Sequence, residues 1–274
     1  MKYPETPAVL VKDKHFKLAD VSTDDKGPFD EKYAHKESAE PRLAALRQRL
    51  AELQENLYAE HQRSLLLVFQ AMDTGGKDGA IGNLLTGVNP AGVQVAAFKA
   101  PSPVELAHDF LWRVHLKTPA RGHIGVFNRS HYEDVLVTRV HGLIDKKTAH
   151  QRFDDINNFE QLLTRNGTHI LKFFLHISKK EQAERLQARL DDPAKRWKYE
   201  PGDLKERAHW DDYQDVYSDA LAHCSTDGAP WFVVPADHKW SRDLAITEIV
   251  VAALENMDPR PPTADFDVKA QVIK

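Results

Sequence analysis

The sequence predicts an α/β fold, a three-layer α/β/α sandwich with a five-stranded parallel sheet. Short apolar runs recur along the chain, and each is followed by a stretch with helical periodicity. Strands that alternate with helices of this length form right-handed crossovers and a parallel sheet covered on both faces. Capping-box patterns that begin at Ser102, Ser130 and Ser178 support the helix starts. The predicted strands are 65–69, 92–98, 123–127, 168–177 and 231–235.

The remaining elements follow in chain order. Residues 1–40 are rich in charge and proline, so we expect an extended N-terminal arm. Leucines at three- and four-residue spacing predict a helix over 41–60, where the main domain of residues 41–258 begins. Breaks in helical periodicity around Pro193 and Pro201 predict a mobile lid at about 189–210, and 259–274 form a loosely tethered tail. Further helices are predicted at 79–86, 103–117, 130–141, 147–165, 179–190, 204–223 and 240–257.

Composition excludes several classes of protein. The 274 residues include 42% hydrophobic and 28% charged residues, which is typical of a globular domain rather than a disordered chain. No apolar run approaches the length of a membrane span, and the net charge of −4 disfavours sequence-independent nucleic-acid binding. A single cysteine, Cys224, cannot form an intramolecular disulfide, so a cytoplasmic protein is expected.

The segment after the first strand carries the most specific pattern. A strand, a glycine-bearing turn that ends in Lys77, and a helix start form the context in which backbone N–H groups and a lysine bind phosphates. The loop departs from G-x-x-x-x-G-K-[ST], because Ala71 replaces the first glycine and Asp78 replaces the hydroxyl residue. An acid inside a phosphate loop needs a cation, so Asp73 is interpreted as facing Mg²⁺ or an acceptor group. The predicted phosphate-binding residues here are Thr74, Gly75, Gly76, Lys77, Asp78 and Gly79. The alternative is a tight turn with a solvated Lys77.

A second candidate segment follows the predicted strand at 123–127. Ligands of open α/β sheets bind beyond the carboxyl ends of the strands, so this segment and the phosphate loop should face one crevice. Asn128 stands where many phosphate-loop proteins have a metal-binding acid. Glu133 could cap the helix or pair with Arg129, which leaves Asp134 as the predicted second metal ligand. Arg129 is predicted to stabilise charge on a transferring phosphoryl group. A solvated Asp134 and a structural Arg129–Glu133 pair are the alternatives.

Basic residues recur around the predicted crevice. The lid contributes several of them, and as a group they predict a positive channel suited to a polyanion. The 14 histidines show no zinc-ligand spacing, so zinc is not expected. Packing is the simpler interpretation of Tyr213 and Tyr217, although contact with a base is the alternative. The basic lid residues are Arg189, Lys195, Arg196 and Lys198.

Three ordered motifs, at 71–79, 127–135 and 189–198, closely resemble those of the polyphosphate kinase family 2 proteins. The resemblance spans about residues 40–258. It implies a P-loop kinase fold, a lid over a tunnel for inorganic polyphosphate, and reversible phosphoryl transfer to a nucleoside mono- or diphosphate with Mg²⁺ or Mn²⁺. It implies functional roles for Asp73, Lys77 and Arg129. Phosphate contacts are implied for Arg189, Lys195 and Lys198.

The second motif bears on the acceptor. Asn128 followed by Glu133-Asp134 looks like the group of the family that accepts both AMP and ADP. A homo-oligomer, dimer or tetramer, is common for the family and is expected here. Two other functions remain open from sequence: an ATP-dependent nucleoside monophosphate kinase, and a non-catalytic protein that binds nucleotide or polyphosphate. The first shares the loop without needing a long basic tunnel. The second does not need two metal-facing acids.

Overall fold

The computed structural model describes residues 2–33 and 35–273. Within these ranges, every helix is too short or too polar to cross a lipid bilayer. The strands are β1 Val9–Leu10, β2 Ser64–Ala71, β3 Val93–Ala97, β4 Ile124–Asn128, β5 Thr168–His176 and β6 Trp231–Pro235. The helices are α1 Phe29–Lys32, α2 Lys36–Glu60, α3 Lys77–Leu84, α4 Pro103–Leu106, α5 Trp112–His115, α6 Val137–Val140, α7 Lys146–Arg165, α8 Lys179–Asp191, α9 Gly202–Ala208, α10 Trp210–Cys224 and α11 Lys239–Met257.

The described strands form one sheet in the order β1-β6-β5-β2-β4-β3. The five predicted strands, β2 to β6, are all parallel to one another. The α/β prediction is therefore confirmed, but the sheet has six strands rather than five. The sixth is β1, which pairs antiparallel with β6 through Val9 and Leu10. Strand β1 has only two residues and lies in a polar segment, so the sequence shows no alternating pattern that would predict it. It pairs with the edge of β6 that the other strands leave open.

Helices pack in two groups around the sheet. Helix α11 packs on α2 and α3, while α10 packs on α6 and α7. Both groups reach the central strand β5, through α11 and α7 respectively. Strand β2 is buried along its whole length, as expected for a parallel sheet with both faces covered.

The N-terminal arm packs on this core. Leu18 and Phe29 are fully buried, and the Leu18 N–H donates to Ser218 Oγ on α10. Helix α2 begins at Lys36, so the expected arm boundary at residue 40 falls inside a helix.

Several predicted helices are divided. The 103–117 segment forms α4 and α5, 204–223 forms α9 and α10, and 130–141 forms a 3₁₀ turn over His131–Asp134 followed by α6. The predicted capping box at Ser130 is wrong, because the Ser130 hydroxyl accepts from the Tyr132 N–H rather than from Glu133. The box at Ser102 is complete, with reciprocal bonds to Glu105.

Candidate functional site

The loop between β2 and α3 has a backbone that few residues adopt. Thr74 has φ +60° and Gly76 has φ +92°, both in the left-handed region. A Cβ at Gly75 would lie 2.4 Å from the Ala71 Cβ, so the loop folds back tightly on the end of β2. The Thr74 Oγ1 is buried and has no hydrogen-bond partner among the described residues. A buried hydroxyl without a partner is costly, which is consistent with a ligand-binding loop.

Lys77 is the first residue of α3 and is partly buried beneath this loop. Its Nζ donates to the Ala71 carbonyl at 3.2 Å. Burial lowers the pKa of Lys77, and the nearby positive charge of Arg129 lowers it further. A bound phosphate would favour the charged ammonium and so would oppose this shift.

Two side chains that no local sequence pattern reveals hold the loop in place, and a third lies against it. Gln182 Nε2 donates to the Asp73 carbonyl at 2.9 Å, and Arg185 Nη1 donates to the Thr74 carbonyl at 3.2 Å. Arg242 Nη1 would lie 2.6 Å from a Cβ at Gly76, but this guanidinium can shift, so it is the left-handed φ of +92° that favours glycine there. They lie on α8 and α11, more than 100 residues along the chain, and no local pattern connects them to the loop.

Arg129 follows β4 and faces the same crevice. Its backbone φ is +60°, and its backbone N–H donates to the Phe69 carbonyl of β2 at 3.0 Å. The guanidinium lies 3.3 Å from Asp73 and 3.9 Å from Glu133. Although burial alone would lower the pKa of Arg129, the charges of Glu133 and Asp73 raise it. The expected convergence of the two segments is therefore present in the structure.

Glu133 and Asp134 lie on different sides of the 3₁₀ turn. Glu133 faces the crevice, where its Oε1 accepts from Gln70 Nε2 at 3.0 Å. Asp134 instead lines a separate cavity and pairs with Arg113, with Nη2 and Oδ2 3.2 Å apart. Burial raises the pKa of Asp134. Glu133, rather than Asp134, therefore lines the cavity together with Asp73, and the structure does not bring the predicted pair of metal ligands, Asp73 and Asp134, to one site.

Asn128 links the two motifs at the ends of β4 and α3. Its Nδ2 donates to Asp78 Oδ1 at 2.6 Å, while Asp78 lies in the first turn of α3. Gly79 follows in the same turn and lies near Arg242. Asn128 and Asp78 are therefore hydrogen-bonded to each other, at a position where many phosphate-loop proteins have residues that bind a metal.

A cavity of about 330 Å³ opens beside the loop. Its walls carry Asp73, Arg129 and Glu133 from the sheet side. Lid and helix residues supply the opposite wall; they include Gln182, Asp203, Glu206, Tyr213 and Tyr217. The two tyrosines, for which packing was the simpler prediction, do line the cavity, and the Tyr217 hydroxyl also donates to the Ala71 carbonyl at 3.2 Å.

The donor set of this cavity suits a hard cation. Asp73 and Glu133 both present carboxylates to it, and Mg²⁺ takes oxygen ligands from one or two carboxylates together with substrate phosphates. Both acids lie close to Arg129, so an anionic substrate would meet positive charge as well. The residues present therefore fit a divalent cation next to a phosphate-binding loop.

Comparison with known proteins decides the family. Residues 33–262 match the family model described as polyphosphate kinase 2. The chain belongs to the polyphosphate kinase 2 family. The resemblance inferred from the three motifs is confirmed.

Two relatives and one solved structure match this chain over nearly their full length. It is 49% identical over 255 residues to the AMP/ADP-polyphosphate phosphotransferase of Meiothermus ruber, covering 92% of this chain and 94% of that one. It is 44% identical over 263 residues to the ADP-polyphosphate phosphotransferase of Rhodopseudomonas palustris, covering 90% and 91%. The crystal structure of polyphosphate kinase 2 from Arthrobacter aurescens TC1 superposes with a TM-score of 0.92 at 47% identity, covering 98% and 96%.

The basic residues of the predicted lid do not line the cavity. Arg189 Nη1 lies 3.5 Å from Asp203, a residue of the cavity wall. Lys195 pairs with Asp192 at 2.8 Å, and the Lys198 ammonium lies 5.1 Å from the centre of the Trp197 ring. Among the described residues that line the cavity, Lys195 and Lys198 are absent. Their predicted phosphate contacts remain predictions.

Proposed function

We propose that this protein transfers a phosphoryl group from inorganic polyphosphate to AMP or ADP, and that the reaction is reversible. One observation carries the proposal. Asp73 of the phosphate loop and Arg129 line a single cavity, in a chain 49% identical to an AMP/ADP-polyphosphate phosphotransferase. The second relative is named for ADP alone, so activity on both acceptors is the finer part of the proposal.

The chain's own groups act by positioning and by charge. The loop N–H groups and Lys77 would bind the phosphates near the transferred group, since a left-handed Gly76 turns the backbone toward the start of α3. Arg129, held at φ +60° by its bond to Phe69, would stabilise negative charge as the phosphoryl group moves. Phosphoryl transfer needs little covalent chemistry from the protein, so in-line orientation and charge neutralisation account for most of the rate.

Asp73 and Glu133 are the residues proposed to hold Mg²⁺ or Mn²⁺. Bound there, the cation would neutralise phosphate charge that the two carboxylates would otherwise repel. Arg129 lies 3.3 Å from Asp73 and 3.9 Å from Glu133, so its positive charge offsets part of the negative charge of these two acids. Asp134 is proposed to have a structural role instead, through its ion pair with Arg113.

Other parts of the proposal rest on the family. Arg189 is the lid residue best placed to reach a phosphate chain, because its partner Asp203 already lines the cavity. A cytoplasmic location and a homo-oligomer, dimer or tetramer, are proposed on the same basis. Tyr213 and Tyr217 offer aromatic surface to the nucleotide base, and their hydroxyls are already engaged by Glu206 and Ala71.

A direct assay tests the function. Purified protein is incubated with Mg²⁺, long-chain polyphosphate and either AMP or ADP, and nucleotides are separated by chromatography. We expect ADP from AMP and ATP from ADP, with neither product formed by a Lys77→Ala variant. Product from one acceptor alone would contradict the proposed activity on both AMP and ADP, but it would still support polyphosphate as the phosphoryl donor.

The same assay separates the rival functions. An ATP-dependent nucleoside monophosphate kinase would be active only when ATP replaces polyphosphate, and its rate would not depend on phosphate chain length. A non-catalytic binding protein would bind polyphosphate or nucleotide with Mg²⁺ and form no product from either donor.

A further inference from the structure

Two histidines and a carboxylate meet between α7 and α10, outside the cavity described above. His150 lies on α7, and Asp219 and His223 lie four residues apart on α10. Each offers one ligand atom, and these atoms all lie within 4.8 Å of one another. The cluster plays no part in the phosphate site, and 69 residues separate His150 from Asp219.

Distances in the cluster resemble those between ligands of one metal ion. The Nε2 of His150 lies 3.2 Å from Asp219 Oδ2. Ligand atoms around a tetrahedral Zn²⁺ lie about 3.3 Å apart, given bonds of about 2.0 Å. The His223 ring lies beside the other oxygen of the same carboxylate, with its Nδ1 3.2 Å from Asp219 Oδ1.

The orientation of His223 also suits a ligand. Its Nδ1 lies 2.8 Å from the backbone carbonyl of Asp219. An N–H donated to a carbonyl at this position fixes the tautomer and leaves Nε2 with the lone pair that a metal needs. The two imidazole rings are tilted by 55° with their centres 4.6 Å apart, so a nitrogen of each can approach a single point.

We propose that His150, Asp219 and His223 form a binding site for a borderline divalent transition metal, with Zn²⁺ as the preferred ion. Two imidazoles and one carboxylate select Zn²⁺ over Mg²⁺, which prefers oxygen donors alone. The histidine side chains are 38% and 43% exposed, so water supplies the fourth ligand and the ion exchanges with solution.

Arg139 sets the strength of this site. Its guanidinium donates to Asp219 Oδ2, the oxygen that also faces His150. The positive charge opposes a cation, so the site is weaker than a closed structural zinc site. Bound through Oδ1, Asp219 keeps its contact with Arg139 as an outer-shell hydrogen bond. Removal of the guanidinium therefore strengthens metal binding.

Metal binding would join the last turn of α10 to α7. Helix α10 also carries Tyr213 and Tyr217, which line the cavity. An ion that binds the folded chain and not the unfolded one stabilises the fold by mass action. The site thus links zinc concentration to the stability of the helix that forms one wall of the cavity.

The test uses the full chain after treatment with a chelator, without nucleotide or polyphosphate. Isothermal titration with Zn²⁺ measures affinity, and thermal unfolding is followed with Zn²⁺ or Mg²⁺. We expect about one Zn²⁺ per chain and a rise of a few degrees in melting temperature, with no such rise for Mg²⁺. His150→Gln and His223→Gln should each weaken Zn²⁺ binding more than about tenfold, and Arg139→Gln should strengthen it several-fold.

A matched control comes from His123. Its Nδ1 likewise lies 3.1 Å from a backbone carbonyl, that of Arg121, but it is not part of this cluster. His123→Gln should bind Zn²⁺ like the unchanged protein. Equal affinity in the His150 and His223 variants, or no heat up to about 100 μM Zn²⁺, would overturn the proposal. Because the His223 side chain is 43% exposed, that variant provides the test even if His150→Gln impairs folding.

Discussion

Lys172 on β5 and Glu160 on α7 form an ion pair in the core, with Nζ and Oε2 2.5 Å apart and both side chains almost fully buried. Glu160 also accepts from the Tyr132 hydroxyl at 3.0 Å, and its Oε1 lies 3.2 Å from His131 Nε2. These two residues belong to the 3₁₀ turn that begins two positions after Arg129. A buried network therefore anchors the segment that presents Arg129 and Glu133 to the cavity.

Loss of one partner of this pair should be severe. Lys172→Met leaves a buried carboxylate without its counterion, and we expect unfolding to become easier by about 3–5 kcal/mol. Glu160→Gln in the same chain removes that charge, so the double variant should recover part of the loss. Urea denaturation measures all three proteins. Lys180→Met is the surface control, since that side chain is 88% exposed, and it should change stability by less than about 0.5 kcal/mol. A double variant no more stable than Lys172→Met would contradict the charge argument.

The Lys172–Glu160 pair should also change how the free energy of unfolding depends on pH in the acid range. Burial alone would raise the pKa of Glu160, but the charge of Lys172 and the bond with His131 hold it below its ordinary value of 4.5. The unfolded chain therefore takes up this proton first as the pH falls. The stabilisation that the folded protein gains from ionised Glu160 is complete above about pH 4.5. It is lost as the pH falls through the lowered pKa of Glu160 in the folded protein. Urea midpoints measured from pH 6 to pH 3 should fall less for the Glu160→Gln/Lys172→Met protein than for the unchanged one. Parallel curves would mean that other carboxylates control acid unfolding.

Glu133 and Asp134 should respond differently to loss of charge. Glu133→Gln should raise the Mg²⁺ concentration needed for half-maximal activity by about tenfold or more, with little change in melting temperature. Asp134→Asn leaves Arg113 buried without its counterion and should cost about 3–5 kcal/mol of stability while the Mg²⁺ requirement is kept. Magnesium titrations of rate and urea denaturation separate the two effects. A shifted Mg²⁺ requirement in Asp134→Asn alone would restore the prediction made from sequence.

Asp73 and Lys77 should be essential for turnover and not for folding. Asp73→Asn or Lys77→Ala should reduce the rate with polyphosphate at least about 100-fold, because each removes charge complementarity in the transition state. Melting temperatures should stay close to that of the unchanged protein, since Asp73 and Lys77 are only partly buried. A near-normal rate in either variant would refute its assignment.

Gly76 and Gly82 form a matched pair for the phosphate loop. Gly76→Ala would place a Cβ at φ +92° and 2.6 Å from Arg242 Nη1, so we expect a loss of about 1–3 kcal/mol together with weaker polyphosphate binding. Gly82 lies in α3 with nothing within 4 Å of an added Cβ. Gly82→Ala should instead stabilise the protein by about 0.5–1 kcal/mol. Thermal unfolding and polyphosphate titration test both, and equal responses would show that loop geometry at Gly76 is not required.

Local patterns in the sequence were enough to predict the fold and the family. Apolar runs identified all five parallel strands, since a buried strand needs only a short continuous hydrophobic segment. The glycines before Lys77 identified the loop because its left-handed backbone at Gly76 is a property of the local chain. β1 was missed because two residues give no periodicity.

Tertiary packing decided which side chains come together, and local sequence patterns do not predict this. Neighbouring residues of a 3₁₀ turn point to different sides, and the burial of His131 and Tyr132 determines that Glu133, rather than Asp134, meets Asp73 at the cavity. The contacts of Arg185 and Arg242 with the loop, and the meeting of His150 with Asp219, join residues far apart in the chain. Sequence by itself determined which elements form and the chemistry they carry. Only the folded chain decided which side chains share a site, because that depends on how helices pack across the sheet.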